Sequence, residues 1–582
     1  MPSHFKKSFL FFLYFMVGLK LFSQQISQGC YNDWDYSPNG VHGNLLLTTI
    51  HARAYFKIEK IDEKTARIQQ FNPSGIVINT TTVTFNNSIL NSVKETDQWG
   101  EDKEFKNFTK VKDNEFIVTD LSEGVNNYLP CKYARFIYQN ELLTEVRYFS
   151  FRDQLIDQQN GYAIIHYKRY NDKIRFAEIK EMSFYNSQDL PVMSKSADYH
   201  KVIYEYDSLD NKILRTFYGV NNEPIIPKNL NAASRRDFYD EDNNVAKTEF
   251  VNLSGALTPN IYGFAVYENQ YFNGYMVKEI RYDSLHKISR GFSNSDRVAI
   301  IKNEYDNAGN NLRKSYFDEM ENPIRSTSGV HEIVNIFSPN NAIVKKTFFD
   351  NSGNASIDRD SVHTLIYSKD EKGRTIVAAS YDIDGKPIKN FNDDVFMLKY
   401  KYDKFGRKVE TSYWMDSITP MPRWNGTFIS KIKFNEEGQP IEFSYFDKDG
   451  KPFRTSDSSS MSRLVYNSDG RIEERQFLYQ NNLTSKKDGV TTDYSIIKYG
   501  YNQNGKVNEL TFFGVDRTPA NATIWLDDTF SAHRIEFIYK GSTIVEQWYY
   551  TLDTNVPSKK INCLDSDFIS TTGIHEGRKN EN

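Results

Sequence analysis

KYKYDKFGRKVETSYW, residues 399–414, carries two aromatic residues eleven positions apart, Tyr402 and Tyr413, with an acidic residue and a glycine between them. Ahead of Asp403, the apolar Phe396, Leu398, Tyr400 and Tyr402 alternate with Lys399 and Lys401. Period two with one apolar face is the pattern of a half-buried strand. Behind Gly406, Val409, Thr411 and Tyr413 alternate with Lys408, Glu410 and Ser412 in the same way. The DKFG between them has turn chemistry. Asp403 can accept from the backbone ahead of it, and Gly406 stands where a type I turn with a bulge needs a left-handed backbone, which glycine adopts without steric cost. The stretch predicts a β-hairpin.

The same pattern recurs along the chain. KIKFNEEGQPIEFSYF (431–446, with Gly438) and RLVYNSDGRIEERQFL (463–478, with Gly470) repeat it, as does YNQNGKVNE from Tyr501, with Gly505. The eleven-residue step also links Tyr206 to Phe217, Tyr239 to Phe250, Tyr271 to Tyr282, Tyr305 to Tyr316 and Phe337 to Phe348. The first aromatic falls at 138, 170, 206, 239, 271, 305, 337, 367, 402, 434, 466, 501 and 539, about thirteen units with a period near 32 to 35. Where glycine is missing, Asp210 and Asn243 stand in, and both types tolerate a left-handed backbone.

A second turn opens at the second aromatic, as in YFDKDGKPF (445–453, with Gly450), FFDNSGNAS (348–356), SYDIDGKPI (380–388) and FVNLSGALT (250–258). Paired aspartates before a glycine can also begin a calcium loop. That loop needs an oxygen ligand at its fifth position, where Asp447 and Asp382 are followed by Lys451 and Lys386. Turn chemistry covers all four stretches, so no metal site is expected. Pro452 and Pro387 mark an exit from pairing, since proline cannot donate to a ladder. Each unit therefore reads as a hairpin, a second turn and a less regular return, and its aromatic face is buried only by stacking on neighbours. The expected fold is all-β, tandem hairpins in an elongated or spiralled antiparallel sheet. The alternative is a β-propeller, which closes at about four to eight blades.

YDKFGRKVE, YDNAGNNLR, YNSDGRIEE and YNQNGKVNE resemble the YD repeats of the RHS family over about residues 133–557. The resemblance implies long sheets of hairpins, used as shells around cargo or as surface modules with sugar-binding roles. Here the motifs alternate in steps of eleven and about twenty-one rather than in one even step. The repeat is also somewhat similar to MORN-type antitoxin repeats, which would again imply a binding scaffold.

Around the array (131–557), four further features are readable. Residues 1–23, with Lys6 and Lys7 before an apolar stretch and then small and polar residues, read as a signal peptide, so export is expected. Cys30 follows a glycine but has Ser27 where a lipidation signal carries an aliphatic residue, so a soluble start is expected over lipid anchoring there. Residues 24–130 read as a β-rich cap, with the charged 85–125 stretch as a solvated loop, insertion or partner site; 558–582 read as a polar tail. Cys131 and Cys563 are expected as unpaired thiols, with pairing as the alternative.

A net charge of −4 and no concentrated basic face argue against nucleic acid, and no segment beyond the leader approaches twenty apolar residues. The histidines form no HExxH, and no P-loop, GxSxG or CxxC stands in the chain. No catalytic residue and no cofactor is assigned. Aromatics make up 15% of the chain, and Trp414, Trp424, Trp525 and Trp548 are candidates for stacking on sugar rings, against a role as core filler. The expectation is a secreted or cell-surface non-catalytic scaffold for a glycan or an envelope or surface protein. The alternatives are a structural shell and an enzyme with a site assembled between distant repeats.

Overall fold

The structure is a computed structural model. It describes residues 29–37, 40–45 and 53–563 except 121–132, 151–152, 159, 171–177, 390–394, 437, 456–457, 469–470, 486–490, 503–506, 526–528, 541–542, 553 and 555. The leader, most of the polar tail, Cys131, Gly470 and Gly505 lie outside the described residues. Among the described residues every regular element is a strand and there is no helix. No helix is therefore long and apolar enough to cross a membrane. The chain divides into two compact bodies. The first holds Met1–Ser122, Ala134–Arg147 and Ile164–Ser326; the second holds Glu123–Tyr133, Tyr148–Ala163 and Thr327–Asn582.

In both bodies the hairpin is the building block. Met397–Tyr402 pairs antiparallel with Lys408–Trp414, setting Leu398 opposite Tyr413 and Tyr400 opposite Thr411, with a bulge between Lys401 and Tyr402. Lys201–Tyr206 with Lys212–Tyr218 and Ser234–Tyr239 with Val245–Val251 repeat the register and the bulge. The turn follows from its residues. Asp403 Oδ1 accepts the backbone N–H groups of Phe405 and Arg407 at 2.9 and 3.0 Å. The Gly406 N–H donates to the Asp403 carbonyl, and the glycine has φ 80°. Gly438 and Gly450 stand at φ 83° and 77°, and the stand-ins Asp210 and Asn243 at 62° and 63°.

Within each body, successive hairpins pair with one another. Lys212–Tyr218 pairs with Ser234–Tyr239 and Val245–Val251 with Val266–Phe272 in the first body, and Lys408–Trp414 pairs with Ile429–Phe434 in the second. A propeller would divide these hairpins into separate blades, so that alternative falls and the tandem-hairpin sheet stands.

The two faces of the sheet are held differently. On one face the second aromatic is buried, as at Phe217, Phe250, Phe348, Tyr413 and Phe512. On the same face the first tyrosine reaches across to the unit before it: Tyr206 Oη donates to the carbonyl of Ile179, Tyr239 to Lys212, Tyr402 to Thr375 and Tyr466 to Pro440, at 2.8–3.2 Å. The other face is laced by charge. Glu410 lies between Lys401 of its own hairpin and Lys431 of the next, at 2.7 and 3.2 Å. Glu442 lies likewise between Lys433 and Arg463.

Register corrects two placements of the first aromatic and one step. The bulge position before the turn is held by Arg169 and Lys369, not by Tyr170 and Tyr367. Tyr367 sits two residues earlier, opposite Ala378. In the unit of Tyr271, a two-residue Asn273-Gly274 loop shortens the hairpin, so Arg281 rather than Tyr282 lies opposite Tyr267 on the aromatic face. Tyr282 turns to the other face, where its hydroxyl donates to Glu268.

The charged stretch expected as a solvated loop is also corrected. Ile89–Asp97, Asp102–Lys112 and Glu115–Asp120 are three paired strands. Its charges alternate with Phe108, Phe116 and Val118, which are buried in a cluster with Ile58, Ile68, Val83 and Tyr138. This apolar face is what keeps the segment in the sheet. In the second body a separate three-stranded sheet, Thr491–Thr492, Ala522–Trp525 and Thr529–Ala532, covers the aromatic face where Phe477, Phe512, Phe537 and Tyr549 are buried.

The return after the second turn proves regular. An isolated bridge pairs the residue after the second aromatic with the proline six positions on, as in Tyr218–Pro224, Trp414–Pro420 and Phe446–Pro452. In many of the described units a third turn then places one left-handed residue, among them Asp198, Asn231, Gly263, Arg297, Gly329, Ser361, Gly426 and Ser458.

Candidate functional site

The aromatic face changes character along the chain. In the second body, one central column of its first strands holds Asn335 and then Tyr367, Tyr400, Ile432, Leu464 and Tyr499. In the first body the same column holds Tyr204, Asp237, Asn269 and Asn303, opposite Arg215, Thr248, Glu279 and Lys314. A stable sheet does not need charges on this face. A buried charge is costly unless it is paired and hydrogen-bonded.

Here it is paired closely. The Asp237 carboxylate is buried, 3.1 Å from Arg215 Nη2 and 2.8 Å from Arg235 Nη2, and it accepts the Thr248 hydroxyl at 2.7 Å. One hairpin on, Arg281 meets Glu279 at 2.6 Å and Asp296 at 2.5 Å and lies over the Phe264 ring. Burial works against the Arg281 charge, but the two carboxylates outweigh it and its pKa is raised. The Tyr267 phenol is pushed up by burial, with the Asn260 amide at its oxygen acting the other way. It remains a neutral hydroxyl.

Between these two clusters lies an open-sided cavity of about 350 Å³, whose lining includes Asn229, Arg235, Asn260, Tyr262, Tyr267, Asn269 and Glu279. Two elements build it: the aromatic faces of adjacent hairpins, and the third turns of the returns that precede them. Asn260 is held in the turn, its Oδ1 accepting the backbone N–H groups of Tyr262 and Phe264 and its Nδ2 donating to Tyr267 Oη. Asn269 Nδ2 donates to the Val245 carbonyl, and its Oδ1 is buried without a protein partner. The Tyr262 ring is 46% exposed at the rim. Aromatic rings beside fixed amides and paired charges form a surface that can stack on a flat apolar ring and exchange hydrogen bonds with hydroxyls. Its volume lies within the range of about 300–1,000 Å³ common for small-molecule sites.

No tryptophan contributes to this cavity. Trp414 is a repeat position: its ring is covered by Lys399 at 3.6 Å, as Tyr218, Phe317, Phe446 and Phe513 are covered by Lys201, Lys302, Lys431 and Lys498. Its Nε1 donates to Ser412. Trp548 is covered by Lys560 and donates to Glu546. Trp424 is 66% exposed in a third turn. Trp525 lies in the small three-stranded sheet, and its side chain is outside the described residues. Trp414, Trp424 and Trp548 are not among the residues that line the cavity.

Among the described residues no three of His, Cys, Asp and Glu converge as metal ligands. Asp447 uses Oδ1 to accept the N–H groups of Asp449 and Lys451, and Asp449 pairs with Lys448. Four of the scattered histidines share one register. His200, His331, His363 and His533 each directly precede the first strand of a hairpin, where other units carry Ala233, Ala265 or Ala299. His200 and His363 lie within hydrogen-bond distance of the return carbonyls of Val192 and Ser356. Cys563 is a free thiol whose pKa burial pushes up to about 11.

No protein-family model matches the chain. No curated protein matches it either. Among solved structures it is similar to TcdB2-TccC3-TEV, at 10% identity and TM-score 0.28, over 88% of this chain and 26% of that one. It is also similar to a Tc holotoxin pore of Photorhabdus luminescens (9%, TM-score 0.18, 88% of this chain and 32% of that one). A third is a porin-like protein from Bacteroides uniformis (8%, TM-score 0.18, 51% and 96%). The chain spans about a quarter to a third of the length of the first two. Likeness at these values carries no argument about function.

Proposed function

We propose that this is an exported, non-catalytic repeat scaffold that binds carbohydrate at the cavity between the hairpins of Ser234–Val251 and Val266–Tyr282. One observation carries the reading. The aromatic face turns polar where the cavity lies, and the polar groups are fixed amides and a buried phenol flanking an exposed tyrosine ring. Sugars are recognised by that combination, a ring face for stacking and planar polar groups for hydroxyls. Nothing in the arrangement supplies a nucleophile beside a base. The carboxylates are engaged by arginines, which suits holding a ligand rather than transforming it. The YD-type motifs and the leader favour a place at the cell surface or outside it.

The test is a glycan array on the full mature chain, followed by titration with Tyr262→Ala and Asn229→Ala. Each variant is expected to weaken binding of the selected glycan about tenfold, with an unchanged melting temperature. Absence of any glycan ligand, or binding indifferent to both substitutions, overturns the reading.

A second reading, a wall enclosing another polypeptide, is favoured by one feature of the first body. An early turn meets later hairpins: Asn72 Nδ2 donates to the Ala308 carbonyl at 2.8 Å, and the Ser74 N–H donates to Tyr275 Oη at 3.1 Å. A sheet that winds back on itself can surround a lumen. Co-purification of a second chain protected from protease supports this reading, and full accessibility of the aromatic face to protease counts against it.

A further inference from the structure

The geometry points to an extended neutral oligosaccharide, rather than a single sugar, as the occupant of the cavity, with Phe292 as the platform of a neighbouring subsite. The inference rests on the carbohydrate reading of the cavity and deepens it.

The argument begins with an insertion. From the bridge residue after the second turn to the first paired residue of the next strand, the chain takes nine or ten residues in the neighbouring units. Leu257 to Val266 is nine, Pro323 to Glu332 nine, and Pro224 to Ser234 ten. From Ile288 to Ile300 it takes twelve. The extra residues carry Arg290-Gly291-Phe292, and the repeat does not need them to close its turn.

The insertion is pinned to the cavity rim. The Phe292 N–H donates to the carbonyl of Tyr262 at 2.8 Å, and Asn294 Nδ2 donates to the carbonyl of Ile261 at 2.8 Å. Ser295 Oγ closes the loop by donating to the Phe292 and Arg290 carbonyls. Gly291 is left-handed at φ 70°, and a Cβ there would run into the Tyr262 carbonyl and the Phe264 ring. The close seat therefore requires glycine. The result is a second large aromatic, 50% exposed, one repeat along from the exposed Tyr262. The ring packs over Gly263, as Phe453 packs over Gly426, and leaves the rest of its surface in water. Two exposed aromatic rings whose backbones are bonded to each other offer platforms for two consecutive sugar rings.

The charge pattern sets the ligand class. Arg235 directs Nε and Nη2 to Asp237 and Thr248, and Glu279 is engaged by Arg281. Arg235 lines the cavity with Nε and Nη2 already committed, so it offers no free two-pronged fork to a carboxylate or phosphate, and the Glu279 carboxylate would repel one. Uronic acids and phosphorylated sugars are disfavoured.

The experiment is calorimetric titration of the full mature chain with neutral gluco-, manno- and xylo-oligosaccharide ladders of one to six units, for the native protein, Phe292→Ala and Phe292→Trp. In at least one ladder, affinity is expected to rise about tenfold between one and three units. Phe292→Ala removes that rise while leaving the single-sugar affinity unchanged, and Phe292→Trp restores it. Binding that is independent of length, or a length dependence that survives in Phe292→Ala, overturns the subsite while sparing the cavity. No binding by any ladder overturns both. Tighter binding of galacturonate oligomers than of the neutral ladders overturns the ligand class.

Discussion

The hydroxyl of Tyr501 donates to the carbonyl oxygen of Ile472 at 2.7 Å, across twenty-nine residues and from one repeat to the one before it. The same reach recurs from Tyr539 to Val507 and, in the first body, from Tyr271 to Val245 and Tyr305 to Met276. The first aromatic of each of these hairpins thus fills the face between hairpins and satisfies a backbone acceptor of its neighbour. A stacked array is stable in proportion to such nearest-neighbour contacts.

Tyr501→Phe should keep the packing and lose the hydrogen bond, at about 1 kcal/mol, read as a lower denaturant midpoint. Burial pushes the phenols of Tyr501 and Tyr539 up to about 12. Because their folded pKa lies above the unfolded value, their contribution is complete below about pH 10 and is lost as pH rises through about 12. Alkaline unfolding in that window should be less steep in Tyr501→Phe,Tyr539→Phe than in the native chain. An identical profile would refute the role.

Two turn glycines should respond differently to alanine. Gly450 has φ 77° with open space around it, so Gly450→Ala should cost only the backbone strain, about 1–2 kcal/mol. Gly309 has φ 83°, and a Cβ there would strike the Tyr275 hydroxyl, which holds Ser74. Gly309→Ala should cost about 2–4 kcal/mol, since steric displacement adds to the strain. Equal melting temperatures for the two variants would contradict this difference.

Glu442 tests the charged face. Burial works against its charge, but hydrogen bonds from Lys433 and Ser444 and the charges of Lys433 and Arg463 outweigh it, and its pKa is lowered. The stability it provides is present above the ordinary glutamate range and is lost as pH falls through the lowered folded value. Glu442→Gln should cost about 0.5–1 kcal/mol at neutral pH, less at high salt, and should flatten the acid limb of the stability profile. A cost unchanged between low and high salt would point to packing instead.

Calcium should leave the chain unaffected. Asp447 Oδ1 is taken by two backbone amides, so the DKDG turn is complete without a cation. Thermal melts in excess chelator and in millimolar calcium should coincide. A calcium-dependent rise abolished by Asp449→Asn would reverse the turn reading.

The hairpin was legible in the sequence because its backbone restricts residue choice. A left-handed position admits Gly, Asp or Asn, and Gly406, Asp210 and Asn243 all reveal it. The third turn imposes the same geometry without the same signature, because in some units Arg297, Ser361 or Ser458 occupies it at a strain that glycine would avoid. Eleven-residue spacing misled at Tyr282, since spacing cannot reveal a shorter loop, and only the pairing shows Arg281 on the inner face. Alternation read as polarity hid the strand of Phe105 and Phe108. The cavity was illegible because its walls combine returns and hairpins, and Asn229 and Glu279 meet only once the sheet is formed.

The bond between Ser74 and Tyr275 joins positions two hundred and one residues apart, whereas the hairpins join residues a dozen apart. Closing so long a loop carries an entropy that local pairing does not, so this seam should form after the hairpins on either side of it. During synthesis, the turn that carries Ser74 must wait for about two hundred later residues before it meets Tyr275. A nascent chain arrested before residue 275 would hold folded hairpins beside an unclosed seam, and that interval is when the chain is most open to a chaperone or to another copy of itself.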